Sequence, residues 1–153
     1  MQKCYQLIGV PGSGKSTWVD KQAWAFSCVK VSTDKWVELY AKEVGLTYSK
    51  VFTDFMPKAI GLMAEEVVVA REMNRDIVWD QTNTTVARRA KKFRMLPDYE
   101  HIAVVFKTPE HKELMRRLMS RPGKEIPDHV IASMIASWEE PVLEEGFTEI
   151  WHV

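Results

Sequence analysis

Hydrophobic positions along this chain fall into two patterns, short unbroken runs and spaced stripes. The runs read as strands: "CYQLIGV" at 4–10, "CVKVS" at 28–32, "DIVWD" at 76–80, "HIAVVFK" at 101–107 and a closing "FTEIWHV" at 147–153. The run at 76–80 is apolar up to its flanking aspartates, as expected of a strand covered on both faces. Between the runs, apolar residues recur at helical spacing. Such stretches cover Ser16–Ala25, with Trp18, Val19 and Ala23, and "KWVELYAKEV" at 35–44. Another runs from Asp54 onward, where Ile60, Met63, Ala64, Val67 and Val68 share one face. A basic helix follows at 86–95, then one from Pro109 to about Met119. A last helix begins near Pro127, a residue suited to a first turn, with Val130, Ile131, Met134, Ile135 and Trp138 as its stripe. Strands alternating with helices predict an α/β fold, a three-layer sandwich around a mostly parallel five-stranded sheet.

Composition narrows the class without deciding function. The chain has 153 residues, 46% of them hydrophobic and 27% charged, which suits one domain over 1–153 with a packed core. Its 21 basic and 21 acidic residues cancel, so affinity for a polyanion must come from local patches. The only cysteines, Cys4 and Cys28, form no framework and fit a reducing compartment. Gly9 interrupts the opening apolar run too early for a signal peptide, and no run nears the roughly 20 residues of a membrane span. A cytoplasmic protein without a membrane partner is expected. The four histidines lack ligand spacing, and oligomeric state is left open.

The densest chemistry lies in "GVPGSGKSTW", Gly9 to Trp18. It fits G-x-x-x-x-G-K-[ST], with a strand before it and a helix after it. Glycines let successive backbone N–H groups turn inward around phosphate oxygens. The nucleotide-binding set is therefore Gly9, Pro11, Gly12, Ser13, Gly14, Lys15, Ser16 and Thr17. Lys15 is expected to bridge the β- and γ-phosphates of ATP, and the Ser16 hydroxyl to ligate Mg²⁺. Asp80, ending an apolar strand, is the second expected Mg²⁺ residue; capping the next helix is its alternative. Asp34 follows the second strand at the sheet's carboxyl edge, where open α/β sheets hold ligands. It can take the proton of an attacking hydroxyl, or else Thr33 or Asp34 simply caps the following helix. Arg116, Arg117, Arg121 and Lys124 surround a proline–glycine break that would serve as a lid over the triphosphate.

Together these segments resemble the 5′-hydroxyl kinase domain of bacteriophage polynucleotide kinase and its small P-loop kinase relatives, over nearly the whole chain. The resemblance implies a P-loop fold with a helical lid at about 117–127. Asp34 falls at the family's general-base position, and Arg117 and Arg121 at its two lid arginines. "DQTNTTVARR" resembles a D-T-N-x-x-x-x-R-R segment, which assigns Thr82, Asn83 and Arg88 to the acceptor side. One departure stands out. Three residues after the base, where that family carries an arginine for the acceptor's phosphate, this chain has Val37. Lys35 and Trp36 lie nearby as partial substitutes. A related branch of phage kinases phosphorylates 5-hydroxymethyluracil within DNA, and Trp36, Tyr40 and Tyr48 could stack on a flipped base.

The expected partner is nucleic acid, DNA ahead of RNA, with the host cytoplasm as location if the chain is phage-encoded. Arg88, Arg89, Lys91, Lys92 and Arg94 put five positive charges into seven residues, opposite a glutamate-rich C-terminal segment. Such a helix could track a phosphate backbone or be an ordinary solvated face. A polynucleotide 5′-hydroxyl leads as acceptor. A hydroxymethylated base, a small metabolite or nucleoside, and a non-catalytic ATP switch are the alternatives.

Overall fold

The computed structural model describes every residue from Met1 to Val153. In chain order the elements are β1 (Lys3–Ile8), α1 (Lys15–Asp20), a 3₁₀ turn (Ala23–Ser27), β2 (Val29–Val31), α2 (Thr33–Val44), α3 (Tyr48–Glu72) and β3 (Ile77–Trp79). Then come α4 (Val86–Met95), β4 (Glu100–Val105), α5 (His111–Met119), α6 (Asp128–Ala136), a second 3₁₀ turn (Leu143–Glu145) and β5 (Phe147–His152). The five strands form one all-parallel sheet in the order β2-β3-β1-β4-β5. All the carboxyl ends therefore open on one edge, with β1 in the middle.

Alternation along β1 feeds both faces of the sheet. Cys4 packs with Met63, Val67 and Ala70 of α3 and with Leu96. Tyr5 and Leu7 pack with Val19 of α1, Ile102 and Val104 on the opposite face. Gln6 is fully buried, and its Nε2 meets His101 Nδ1 at 3.1 Å. His101 Nε2 in turn reaches the Leu96 carbonyl at 2.9 Å, so this histidine is structural.

Several sequence expectations change. The helix expected over Ser16–Ala25 stops at Asp20, because Gln22 turns to extended backbone. The break lets Trp24 reach Tyr5, with ring centres 4.3 Å apart, an aromatic contact a continuous helix would forgo. The long helix starts at Tyr48 rather than Asp54 and carries Pro57 within it. Its buried stripe is Val51, Ala59, Met63, Val67 and Ala70; Ile60 and Val68 are exposed. In α6 only Ile131 is buried, while Val130 and Ile135 face outward. No helix is long and apolar enough to cross a membrane.

The basic helix changes most. Arg89 is fully buried and makes a bidentate pair with Glu145, at 2.8 and 3.0 Å. Lys92 is also buried, its ammonium 5.4 Å from the centre of the Trp79 ring. Burial pulls that ammonium down to about 8. Glu139 accepts from the Val86 amide at the start of α4. The acidic tail thus interlocks with the basic helix instead of forming an opposite pole. Arg88, Lys91 and Arg94 stay exposed.

Candidate active site

The loop between β1 and α1 sits at the centre of the sheet's carboxyl edge. Gly12 and Gly14 hold φ of +82° and +94°, in the left-handed region that glycine enters without strain. Gly9 is needed for space, since a Cβ there would lie 2.6 Å from Ser13 Oγ and 3.1 Å from Phe106 Cβ. The Gly9 amide donates to the Thr82 carbonyl at 2.9 Å, tying the loop to the segment after β3. The amides of Gly14, Lys15, Ser16 and Thr17 have no carbonyl partner. Because α1 spans only six residues, these amides, more than a macrodipole, make the loop attractive to an anion. Ser13 Oγ is buried with no partner of its own.

Lys15 Nζ donates to the carbonyls of Gly9 and Val10, at 2.9 and 3.0 Å. Burial pulls this ammonium down to about 8, against the opposing charges of Asp80 and Asp34. Arg121 and Lys124 act on it in the same downward direction. Four charged groups from three segments therefore act on one lysine. Burial raises the Asp80 carboxyl, while Lys15 and the Ser16 hydroxyl oppose the rise. Ser16 Oγ donates to Asp80 Oδ2 at 3.0 Å. No three acidic, histidine or cysteine side chains gather as a metal cage. A single serine oxygen beside one carboxylate suits Mg²⁺, which keeps several waters and shares phosphate oxygens with its nucleotide.

Asp34 lies in the first turn of α2. Neither it nor Thr33 caps that helix: Ser32 does, its side chain accepting from the Lys35 amide at 3.1 Å. The Asp34 carboxylate is thereby left for other partners. Tyr48 Oη donates to Oδ1 at 2.5 Å, and Lys124 Nζ donates to Oδ2 at 3.1 Å. Lys124 also donates to Glu38, one helical turn along, at 2.8 Å.

The segment 120–127 between α5 and α6 supplies the lid-like cations. Arg117, still within α5, donates to the Gly12 carbonyl at 3.1 Å and to Glu113 at 2.9 Å. Arg121 has buried Nε and Nη2 atoms with no partner. An unpaired buried guanidinium is costly, so this is a ready place for phosphate oxygens. Arg116 points elsewhere; it pairs with Glu113 on the exposed side of α5. Beyond the ends of β4 and β5 a cavity of about 570 Å³ opens between Phe106, Thr108, Trp138 and His152. It holds none of the charged groups described above.

The pattern of the AAA domain family matches residues 6–141, from β1 past α6. The chain belongs to that family. Solved structures agree on the fold. A Chloroflexus aurantiacus protein, assigned only provisionally as a kinase, is 15% identical, with a TM-score of 0.71 over 99% of this chain and 84% of that one. A gluconokinase from Sinorhizobium meliloti is 17% identical, with a TM-score of 0.57 over 99% of this chain and 81% of its own. A chain of the Pnkp1/Rnl/Hen1 complex is 21% identical, with a TM-score of 0.57 over 83% of this chain and 43% of that one. At such identities the likeness is one of fold, here the P-loop fold of kinases.

Asp34, Asp80, Arg117 and Arg121 all lie around the loop between β1 and α1. The acceptor-side residues are placed differently. Asn83 (φ +49°) is buried, and its Nδ2 donates to the Leu7 carbonyl at 2.8 Å. It braces the end of β1 rather than lining an open pocket. Thr82 Oγ1 accepts a long bond from exposed Arg88, at 3.4 Å. Trp36 packs between two core clusters, and Tyr40 stacks one ring face on Phe55 at 4.1 Å, so both are engaged in packing. Val37 is fully buried, and Lys35 is turned away to Glu66 and the Lys30 carbonyl. No cation on that helix stands in for the acceptor arginine that the phage-kinase resemblance leads one to expect. The sequence reading had Tyr48 only as a base-stacking candidate, not as a partner of Asp34, and lacked Glu38 and Ser49. Glu38 was visible as the i+4 partner of Asp34; the other two meet the site only through the turn joining α2 to α3.

Proposed function

We propose that this protein is an ATP- and Mg²⁺-dependent kinase that transfers the γ-phosphate to an acceptor hydroxyl, with Asp34 as general base. The observation that carries the reading is the pairing at the loop's edge: Asp80 accepts from Ser16 beside Lys15, and Asp34 accepts from Lys124 of the segment that also brings in Arg121. A bare nucleotide switch needs a Mg²⁺-side carboxylate such as Asp80 but not a second one, Asp34, on the acceptor side. The acceptor oxygen attacks the γ-phosphorus as the bond to the β–γ bridging oxygen breaks, releasing ADP, and Asp34 accepts the hydroxyl proton. Ser16 and Asp80 hold Mg²⁺, which supplies charge neutralisation on the phosphates. Lys15 and the unpaired nitrogens of Arg121 take the phosphoryl oxygens. The purine end belongs in the cavity beside Trp138, adjoining the loop through Phe106.

For the acceptor, a nucleic-acid hydroxyl, led by a polynucleotide 5′-OH, rests on the phage-kinase resemblance and on exposed Arg88, Lys91 and Arg94. A small uncharged acceptor is the second reading, favoured by one observation. Around Asp34 stand a second carboxylate, Glu38, and the buried Val37, with Lys124 as the only cation bound to them. Two carboxylates repel an acceptor whose phosphate lies close to the reacting hydroxyl. Transfer of label from γ-labelled ATP separates these readings. The panel is a 5′-OH oligonucleotide, hydroxymethyluracil-containing DNA, free nucleosides and simple polyols, with the labelled position mapped. No labelled acceptor alongside unchanged ATP would remove the kinase reading.

A further inference from the structure

We infer that Tyr48 and Lys124 are positioning residues for the Asp34 carboxylate, Tyr48 fixing one oxygen from α3 and Lys124 carrying the lid segment onto the other. The inference rests on the kinase reading above. Nothing within α2 holds Asp34, whose side chain is 52% exposed and whose capping role Ser32 has taken. A carboxylate in that state samples several rotamers, and a misplaced base loses rate steeply.

The structure pins it from both sides, and the pins are themselves fixed. Tyr48 begins α3, and the Lys124 ammonium stands 4.5 Å over its ring. Lys124 is only 15% exposed and is shared with Glu38. The lid segment is tied to the same corner. The Ser49 amide donates to the Gly123 carbonyl at 3.0 Å, and the Glu125 amide donates to Ser49 Oγ at 2.8 Å. Gly123 holds φ of +70° and lies so close that a Cβ would sit 3.0 Å from the Thr47 side chain.

In a loose phosphoryl-transfer transition state the leaving-group bond is largely broken before the proton moves, so orientation outweighs basicity. An ionised carboxylate offers about four acceptor positions, which leaves room for the acceptor hydroxyl. Since Lys124 comes from 120–127, the base is set only while that segment is latched at Ser49. Acceptor activation is thereby tied to closure over the nucleotide. Lys124 serves the acceptor side, whereas Arg121 serves the phosphates.

Tyr48→Phe deletes the hydroxyl and keeps the ring; Lys124→Met keeps the stem and deletes the charge. Both are assayed in steady state with γ-labelled ATP and whichever panel acceptor the unaltered protein labels, with ATP-induced thermal stabilisation as the check on folding. Each substitution should lower kcat about tenfold while KM for ATP stays within twofold, the size of a lost charge-assisted hydrogen bond. Unchanged kcat in Tyr48→Phe, or a rise of fivefold or more in KM for ATP with kcat kept in Lys124→Met, would overturn the inference. The latter result would make Lys124 another grip on the triphosphate. Failure of the unaltered protein to label any acceptor would instead overturn the kinase reading, and this inference with it.

Discussion

Replacing Glu145 by alanine should strip the partner from a guanidinium that has no water to turn to. Arg89 is fully buried, and two of its nitrogens end on Glu145; the third bond, from Nη1, goes to the Asn83 carbonyl at 3.0 Å. Breaking a buried pair from one side costs about 3–5 kcal/mol, because the remaining charge keeps its desolvation penalty. Glu145 is 8% exposed, so some water can reach the rim of the gap and the lower half of that range is expected. In a chain of this size each kcal/mol moves Tm by about 2–4 °C, so a fall of roughly 6–16 °C follows. Urea unfolding followed by tryptophan fluorescence, with calorimetry beside it, reads both quantities. The double variant Arg89→Met, Glu145→Leu should recover most of the loss, since removing both charges removes the penalty. A loss under 1 kcal/mol for Glu145→Ala, or a double variant no better than the single one, would refute the reasoning. ATP affinity should weaken in Glu145→Ala too, because Arg89 steadies Asn83, and Asn83 holds Leu7 just before the loop.

Three further outcomes follow. Lys92, lowered to about 8 by burial, holds fewer protons folded than unfolded between pH 8 and about 10.5, so stability should rise with pH across that window. Lys92→Met should abolish that part of the rise and stabilise the protein at pH 7, by at most about 3 kcal/mol; equal pH slopes in urea titrations of the two proteins would contradict this. Arg121→Met should raise the Tm of the nucleotide-free protein, by removing unpaired buried nitrogens, yet shrink the further rise that ATP and Mg²⁺ produce. An undiminished ATP-induced shift would place Arg121 outside the phosphate site. Gly12→Ala forces a side chain onto φ of +82° and to within 3.0 Å of Leu114, so ATP affinity should fall at least tenfold by calorimetric titration. Wild-type affinity would mean the loop's backbone shape is not what binds the nucleotide.

The loop was legible in the sequence because its function lies in the backbone, and glycine placement records backbone shape directly. Strand runs were legible because a parallel sheet buried on both faces leaves no polar alternation. Element ends were less so: α1 breaks at Gln22, and the break lets Trp24 meet Tyr5, nineteen positions earlier in the chain. Arg89 and Lys92 read as a solvated basic face, yet their partners are Glu145 and Trp79, which periodicity cannot connect to them. The acceptor side was the least legible part. Tyr48 and Lys124 reach Asp34 from 14 and 90 positions away, so no local pattern marks them. Val37 is the instructive exception: its departure from the arginine of the phage kinases it resembles was visible at once, and it is buried while its neighbour Lys35 is tied to Glu66.

Asp34→Asn tests the central claim most directly. The substitution keeps the side chain's size and its place in α2 while removing the carboxylate's capacity to accept a proton. ATP binding by calorimetric titration should stay within threefold of the unaltered protein, and transfer of labelled γ-phosphate to the acceptor should fall at least a hundredfold. Transfer at the unaltered rate would contradict the account, as would a loss of ATP binding equal to the loss of transfer.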